Sequence, residues 1–282
     1  MSKVAIVTDS TAYIPDNLVQ KYSISVAPQV LIWGEDTYED GVDIYPNEFY
    51  SRLANTDRMP STSQVTPKSF DKIFSNLLEQ QYEILAILIS EELSGTISSA
   101  TQTKEEFTDA PIEIVDSHSV AMALGFQVLQ AAKAATEGAG LAECKKVAEK
   151  ARAHVGVIFA VDTLEFLHRG GRIGGASRFL GAALNLKPIL EVKDGKIEAI
   201  ERVRTRKKSL NRLIELVEER ISGGDPVRIA SLHANSSQDA QYLLGTSIEK
   251  FNPVETVFSE VSPVVGTHAG PGTVGLAYCV GM

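Results

Sequence analysis

The first half of the chain alternates short runs of β-branched residues with longer segments in which apolar residues recur at helical spacing. This alternation is typical of βαβ units, in which helices join parallel strands and cover the sheet. The predicted strands are residues 3–8, 23–32, 83–90 and 112–116, and the predicted helices are residues 67–80, 96–107 and 120–136. The pattern therefore predicts an α/β fold that begins with a three-layer α/β/α domain built on a mostly parallel sheet.

The second half has more strands and fewer helices. A predicted helix at residues 141–152 is followed by predicted strands at residues 155–161, 189–193, 196–204, 227–233, 254–259 and 274–280. Asp194-Gly195 separates two of these strands, and Asp-Gly in that position predicts a hairpin, which is antiparallel. We therefore expect a second α/β domain with a mixed sheet. The two domains are predicted as residues 1–153 and 154–282, with a cleft between them that binds a ligand.

Composition and charge narrow the class of protein. The 282 residues are 44% hydrophobic and carry a formal net charge of −9, which opposes binding to nucleic acid. The early apolar run from Val4 to Val7 is too short for a signal peptide or a membrane span, so we expect a soluble, cytoplasmic protein without stable membrane insertion. Cys144 and Cys279 lie far apart without a CxxC motif, which predicts small core residues and neither a disulfide nor a metal site.

Two segments rich in small and polar residues are candidates for a ligand site. In residues 265–273, His268 stands among glycines that include Gly270 and Gly272, which predicts a tight loop presenting the imidazole beside hydroxyl groups. Residues 60–67 are predicted as a loop before a helix, with Thr66 as the helix N-cap followed by proline at the first helical position. Capping leaves the three hydroxyl groups of the same segment unexplained. These belong to Ser61, Thr62 and Ser63.

A third segment follows a predicted strand and opens a helix. Residues 90–96 would therefore lie at the carboxyl edge of a parallel sheet, where ligands bind in this class of fold. Ser94 is a predicted N-cap, and the free N–H groups of Gly95 and Thr96 would also form an anion site. Both roles can coexist.

Five motifs together are far more specific than any one of them. They are Val7-Thr8-Asp9-Ser10-Thr11, Ser61-Thr62-Ser63-Gln64, Leu93-Ser94-Gly95-Thr96, Phe-Leu-His-Arg-Gly-Gly-Arg-Ile at residues 166–173, and His-Ala-Gly-Pro-Gly-Thr-Val-Gly at residues 268–275. In these motifs the chain resembles, nearly from end to end, the DegV family of bacterial proteins. Members of that family bind a fatty acid and act as the acyl-carrying subunit of fatty acid kinase.

The resemblance implies a ligand and a set of contacts. A long-chain fatty acid would occupy a buried apolar tunnel, with Thr62 and Ser94 holding its carboxylate, Gly95 contributing to the same site, and His268 lying beside it. The supporting loop residues would be Ser61, Ser63, Gly270 and Gly272. No metal and no cofactor other than the bound fatty acid is expected.

Such a site is physically reasonable, because a carboxylate beside an apolar cavity needs hydrogen-bond donors, and two hydroxyl groups with backbone N–H groups supply them. We hypothesise that neutral donors, without lysine or arginine, leave the carboxylate nucleophilic for attack on phosphorus. His268 would either stabilise charge on the phosphoryl group or orient a water molecule, and the sequence does not choose between these roles.

Two basic segments are candidates for docking a partner. By the resemblance, Arg169 and Arg172 on a glycine-rich turn would contact a separate ATP-dependent kinase subunit. This turn precedes a segment predicted as a helix, residues 176–183. Arg202 and Arg204 begin a basic stretch that continues to Arg212, which is either a solvated strand end and helix start or a contact with an acidic partner. Aromatic residues are not interleaved with these charges, which disfavours nucleic acid. A transient contact with a membrane is compatible with this interpretation.

The predicted protein is thus a carrier and not an enzyme. The sequence has no P-loop motif, so ATP would belong to the partner. The alternatives are a hydrolase or phosphotransferase using His268 with a serine or threonine nucleophile, and a DNA-binding regulator using the basic stretch.

For the acyl tail, residues 155–161 and one helix offer apolar walls. The helix residues are Ala121, Leu124, Val128, Leu129 and Ala132.

Overall fold

The computed structural model of the protein describes residues 3–56, 58–181 and 186–282. The strands are β1 (Lys3–Asp9), β2 (Ser25–Ala27), β3 (Val30–Trp33), β4 (Asp36–Glu39), β5 (Ser61–Ser63), β6 (Tyr82–Leu88), β7 (Ile112–Asp116), β8 (Val155–Ala160), β9 (Lys187–Lys193), β10 (Lys196–Val203), β11 (Val227–His233), β12 (Glu255–Glu260) and β13 (Val274–Val280). The α-helices are α1 (Asp16–Lys21), α2 (Pro46–Leu53), α3 (Pro67–Glu79), α4 (Thr96–Glu106), α5 (Ala121–Thr136), α6 (Leu141–Ala151), α7 (Glu165–Arg169), α8 (Arg206–Ile221), α9 (Ser237–Phe251) and α10 (Pro263–Ala269).

The first large sheet has the order β2-β1-β6-β7 and is parallel throughout, as the sequence predicted. The prediction of one strand over residues 23–32 was wrong, because this segment divides into β2 and β3, which belong to different sheets. Pro28 stands between the two strands, and proline has no N–H group with which to continue a ladder.

A small antiparallel sheet, in the order β4-β3-β5, projects from the first half of the chain. The hydroxyl-rich residues 61–63, predicted as a loop, form β5 in this sheet, with Thr62 opposite Leu31. Thr66 then caps α3 as predicted, since its hydroxyl accepts a hydrogen bond from the N–H of Ser69.

The second large sheet has the order β10-β9-β8-β13-β11-β12 and is mixed, as predicted. Within the described part of the chain, β11 and β12 are the one parallel pair of this sheet. The Asp194-Gly195 turn joins β9 to β10 with positive φ at both residues, which confirms the predicted hairpin.

Helix α5 lies between the two large sheets and is the centre of the main core. Its residues from Ala121 to Leu129 are all buried, and the core cluster around them includes β1 and β6 residues as well as Ala277 and Cys279 of β13. The sheets therefore share one core through α5. A 3-10 helix, Arg152–His154, connects α6 to β8, close to the boundary predicted at residue 153, which stays a prediction.

Other element predictions were right in type and shifted at their ends. The helix predicted over residues 176–183 is in part the 3-10 helix Gly174–Phe179, and residues 182–185 lie outside the described part of the chain. Both cysteines are buried and unpaired with each other, as expected. Among the described residues, no helix is long and apolar enough to cross a membrane.

Candidate functional site

An apolar cavity lies between the halves of the chain and holds about 910 Å³ of space not filled by protein atoms, counting its mouth. The apolar lining comes from both halves, and includes Ile89, Leu93, Val120, Ala121, Val157, Phe159, Leu167, Val192, Ile197, Leu232, Val261, Val264 and Val265. Of the walls proposed from the sequence, Ala121 and residues of 155–161 line the cavity. The other helix residues proposed, Leu124, Val128, Leu129 and Ala132, belong to the packed core instead.

Polar side chains also line this cavity. They include Thr62, Ser63, Gln64, Ser94 and His268, so three of the four residues expected to hold a carboxylate are brought together here. The fourth, Gly95, is exposed and lies on the outer side of Ser94, where it precedes the first turn of α4. A Cβ atom on Gly95 would meet the side-chain amide of Gln64 at 3.2 Å, so Gly95 packs closely against Gln64.

The predicted loop around His268 is a helix. Residue 263 is a proline at the first helical position of α10, and the helix continues to Ala269, where Gly270 ends it with a φ of 76°. His268 is therefore fixed in the last turn of a helix and not on a flexible segment. The glycine-rich composition that suggested a loop reflects this helix end and the tight connection to β13.

Thr62 and His268 meet across the site, although 206 positions separate them in sequence. The hydroxyl oxygen of Thr62 lies 2.7 Å from Nε2 of His268. Burial, with a smaller contribution from the nearby Arg172 guanidinium, lowers the pKa of His268 from 6.5 to about 4. The imidazole is consequently neutral at pH 7.

The tautomer of His268 follows from its surroundings. Nδ1 is buried and has no hydrogen-bond partner in the described part of the chain. A buried N–H group without an acceptor is rarer and costlier than an unpaired acceptor, which places the proton on Nε2. Nε2–H then donates to the Thr62 oxygen, and the Thr62 O–H group is left to donate into the cavity.

Ser94 was predicted to cap α4, and this was wrong, because the N-cap is Gly95 and no side chain caps the helix. The Ser94 oxygen instead lies 2.9 Å from the hydroxyl oxygen of Thr96. Thr96 is fully buried and receives a hydrogen bond from the side-chain amide of Gln29, which also lines the cavity.

Arg172 lines the cavity, whereas the sequence suggested a role in docking. Its Nε donates to the carbonyl of Leu93 at 3.0 Å, and its Nη1 donates to the carbonyl of Gly170 at 2.8 Å. These bonds fix the guanidinium beside His268. The expectation that the site works without an arginine is not supported, because one positive charge contributes to its lining.

The remaining basic residues are on the surface. Arg169 is exposed and pairs with Glu165 on the same helix, while Arg202 and Arg204 are exposed on and beyond the end of β10. Further along this stretch, Arg206 pairs with Asp239, and Arg212 contacts Glu201, Glu215 and Glu219. Two arginines in the later part of the basic stretch are therefore paired with acidic neighbours.

The supporting residues occupy different positions. Ser63 lines the cavity, and Ser61 is exposed at the start of β5. Gly270 and Gly272 both have positive φ, and each lies close to a neighbouring side chain. A Cβ atom on Gly270 would lie 2.3 Å from the Phe166 ring, and one on Gly272 would lie 2.4 Å from the Asp162 carboxylate. These two glycines shape the connection from α10 to β13.

Sequence reasoning missed two buried residues that stabilise the site. Gln29 gave no signal, as an isolated glutamine beside an apolar run. Asp40 stands in the acidic run of residues 35–43, a composition typical of an exposed turn, but it is buried and accepts hydrogen bonds from Ser10 and from the N–H of Val264 in α10. Burial raises the pKa of Asp40 from 3.8 to about 6. Asp40 thus connects the first half of the chain to the helix that carries His268.

Comparisons with known proteins agree with this architecture. A family model described as "Uncharacterised protein, DegV family" matches residues 3–280. Protein DegV of Bacillus subtilis is 34% identical over 277 residues, which cover 98% of this chain and 99% of that protein. The solved structure of a fatty-acid-binding DegV family protein from Thermus thermophilus is similar to this chain, with a TM-score of 0.93 and 33% identity over 99% of each chain. The crystal structure of DegV, a fatty acid binding protein from Bacillus subtilis, gives a TM-score of 0.90 at 33% identity, covering 99% of this chain and all of that one.

Proposed function

This chain belongs to the DegV family, and we propose that it binds a long-chain fatty acid, with the acyl chain in the apolar cavity and the carboxylate at Thr62 and Ser94. The observation that carries the proposal is the presence of these two hydroxyl groups in the lining of an otherwise apolar cavity. Apolar burial provides affinity for the acyl chain, and the hydroxyl donors compensate for removing the carboxylate from water. The related structures from Thermus thermophilus and Bacillus subtilis, both of fatty-acid-binding DegV proteins, support the same ligand class.

The site matches an anion better than a neutral head group. Thr62 has its O–H group free because the His268 Nε2–H occupies its oxygen, and a carboxylate accepts strongly from such a donor. The guanidinium of Arg172 adds a fixed positive charge to the lining. Together these groups stabilise a carboxylate without placing it in a bidentate ion pair through both of its oxygens.

We further propose that the protein presents this carboxylate to a separate ATP-dependent kinase subunit, which phosphorylates it to the acyl phosphate. The sequence lacks a P-loop motif, which agrees with ATP being bound by the partner. Arg169 lies on α7, next to the glycine turn that contacts His268, and Arg202 and Arg204 are exposed, so these arginines are suited to docking an acidic surface. A cytoplasmic location, with only transient contact to membranes for lipid exchange, fits this role.

The hydrolase alternative has less support from the geometry. Thr62 and His268 are close enough to resemble a nucleophile and its base. However, the imidazole pKa of about 4 makes it a weak base at pH 7, and in the described residues no acid hydrogen-bonds Nδ1 to orient the ring. The carrier function is therefore preferred.

The experiment that tests the carrier function combines the purified protein with its kinase, ATP and fatty acid, and measures acyl phosphate formation. We expect product only when all four are present. We also expect that Thr62→Ala with Ser94→Ala abolishes product while the protein stays folded. Turnover of an ester or phosphate substrate by the protein alone would contradict the proposal and favour the hydrolase.

Docking is tested separately by charge reversal. Arg202→Glu with Arg204→Glu should weaken the kinase interaction and leave fatty acid binding intact. A matched control is Lys146→Glu with Lys150→Glu, because these lysines are also exposed but lie on α6. Equal loss of product with both double variants would argue against a docking surface at Arg202 and Arg204.

A further inference from the structure

A buried series of hydrogen bonds leads from Asp9 to the Ser94 hydroxyl. Asp9 and Thr96 are fully buried, and Gln29 is 2% exposed. The Gln29 Nε2 atom lies 3.3 Å from Asp9 Oδ1 and 2.9 Å from the Thr96 hydroxyl oxygen, which is itself 2.9 Å from the Ser94 oxygen. Thr96 is not part of the cavity lining, whereas Ser94 is. Gln29 also lines the cavity, so the series leaves the lining at Gln29, passes through Thr96 and returns to the lining at Ser94.

The direction of each hydrogen bond can be assigned from the donors available. Asp9 Oδ1 also accepts from the backbone N–H and the hydroxyl of Thr11, so it acts as an acceptor toward Gln29. This fixes the Gln29 amide with its NH₂ group facing Asp9, and one hydrogen of that group bonds Asp9 while the other bonds Thr96.

Thr96 then has its oxygen occupied as an acceptor. Among the described residues, the Ser94 oxygen is the only acceptor within reach of the Thr96 hydrogen, so the buried Thr96 O–H group donates to Ser94 and is not left unpaired. The Ser94 hydroxyl has a single hydrogen, and this hydrogen cannot go to Thr96, because the Thr96 O–H group already donates along that contact. The Ser94 O–H group is consequently the free end of the series and is available to the cavity.

We propose that Gln29 and Thr96 are positioning residues that set Ser94 as a hydrogen-bond donor, and that this polarity makes the site select a carboxylate over a fatty alcohol. The inference rests on the proposed function and deepens it by naming the residues that determine head-group specificity. A donor held by a polarised series binds an anion more strongly than a freely rotating hydroxyl does. An alcohol can donate as well as accept, so it gains less from a fixed donor.

Reversal of the series is the sharpest test. In Gln29→Glu, an oxygen replaces the NH₂ group beside Thr96, and this oxygen accepts from the Thr96 hydroxyl whether the new carboxyl is ionised or protonated toward Asp9. Thr96 would then accept from Ser94, and Ser94 would present its oxygen to the cavity. In Thr96→Val, the series is cut without altering the cavity lining.

The readout is the ratio of affinities for hexadecanoate and hexadecan-1-ol, measured by displacement of a fluorescent fatty acid. We expect Thr96→Val to lower this ratio about tenfold, since one hydrogen bond to a charged group is weakened. Gln29→Glu should lower it at least as far, with alcohol binding retained. Thr96→Ser should restore the wild-type ratio. In the double variant Gln29→Glu, Thr96→Val, the affinity ratio should equal that of Thr96→Val alone, because without the Thr96 hydroxyl the change at Gln29 no longer reaches Ser94.

A matched control is Thr103→Val, which removes another buried hydroxyl from the same helix, where it donates to the carbonyls of Pro67 and Ser99. This variant should keep the wild-type ratio. An unchanged affinity ratio in Thr96→Val would overturn the proposal. So would a double variant in which the separate effects of the two substitutions on the ratio multiply. If Gln29→Glu fails to fold, Thr96→Val and Thr96→Ser still decide the proposal. Wild-type protein that binds neither ligand would overturn the proposed function itself.

Discussion

Gly170 offers a way to displace His268 without touching any group that contacts the ligand. A Cβ atom at this position would lie 2.1 Å from His268 Nδ1, and because Cβ atoms do not approach other heavy atoms more closely than 3.0 Å, the imidazole must move by roughly 0.9 Å. The φ of Gly170 is −76°, which alanine adopts without strain. Gly170→Ala is therefore a purely steric change at the imidazole.

The magnitude follows from the hydrogen bond that this movement disturbs. A rigid ring displaced by that distance cannot keep Nε2 at 2.7 Å from the Thr62 oxygen. The Thr62 hydroxyl loses the partner that orients it, which weakens one bond to a charged group, about 1.5–3 kcal/mol. We expect fatty acid affinity to fall roughly 10- to 100-fold.

The assay is calorimetric titration with a fatty acid, with thermal unfolding recorded for the same samples. Gly245→Ala is the matched control, because this residue is on α9 with open space around a Cβ atom, and it should leave affinity unchanged. Wild-type affinity in folded Gly170→Ala would refute the assigned role of the Thr62–His268 pair.

Three further results are expected. The pKa of His268 in the folded protein is about 4, below the ordinary value of 6.5, so between these pH values the folded state binds fewer protons than the unfolded state. His268 therefore lowers the free energy of unfolding as the pH falls. Between pH 7 and pH 4, the free energy of unfolding of His268→Gln, measured by chemical denaturation, should rise relative to that of the wild type by up to roughly 3 kcal/mol. Asp40 has the opposite sign, since its raised pKa stabilises the folded state as the pH falls through about 6, and Asp40→Asn should remove that gain. Val192→Phe should fill the cavity and abolish fatty acid uptake, whereas Val203→Phe, outside the cavity, should not. If the unfolding free energies of His268→Gln and the wild type changed in parallel with pH, the His268 expectation would be contradicted. Full fatty acid uptake by Val192→Phe would contradict the cavity assignment.

The sequence predicted much of the fold because its signals are local. Apolar periodicity located the strands of both large sheets, and Asp194-Gly195 fixed the antiparallel hairpin. The division of residues 23–32 between two sheets was missed because strand pairing is decided by distant partners. Here only Pro28 gave a local indication, and β5 was missed because a short serine- and threonine-rich segment becomes a strand by pairing with β3.

The site was predicted in part, and mostly through family resemblance. Thr62, Ser94 and His268 do line one cavity, but the helix around His268 depends on packing that the glycine content concealed. Arg172 was assigned to the surface because a glycine-rich turn between two arginines carries no sign of which one folds inward. Gln29 is positioned by tertiary contacts, so no sequence pattern identified it.

The most direct test of the account is to denature freshly purified protein, extract it with organic solvent and quantify the released lipid by mass spectrometry. We expect close to one fatty acid per wild-type chain, and little or none from folded Thr62→Ala, Ser94→Ala protein. Wild-type protein that carries no fatty acid and takes up none when it is added would contradict the central claim.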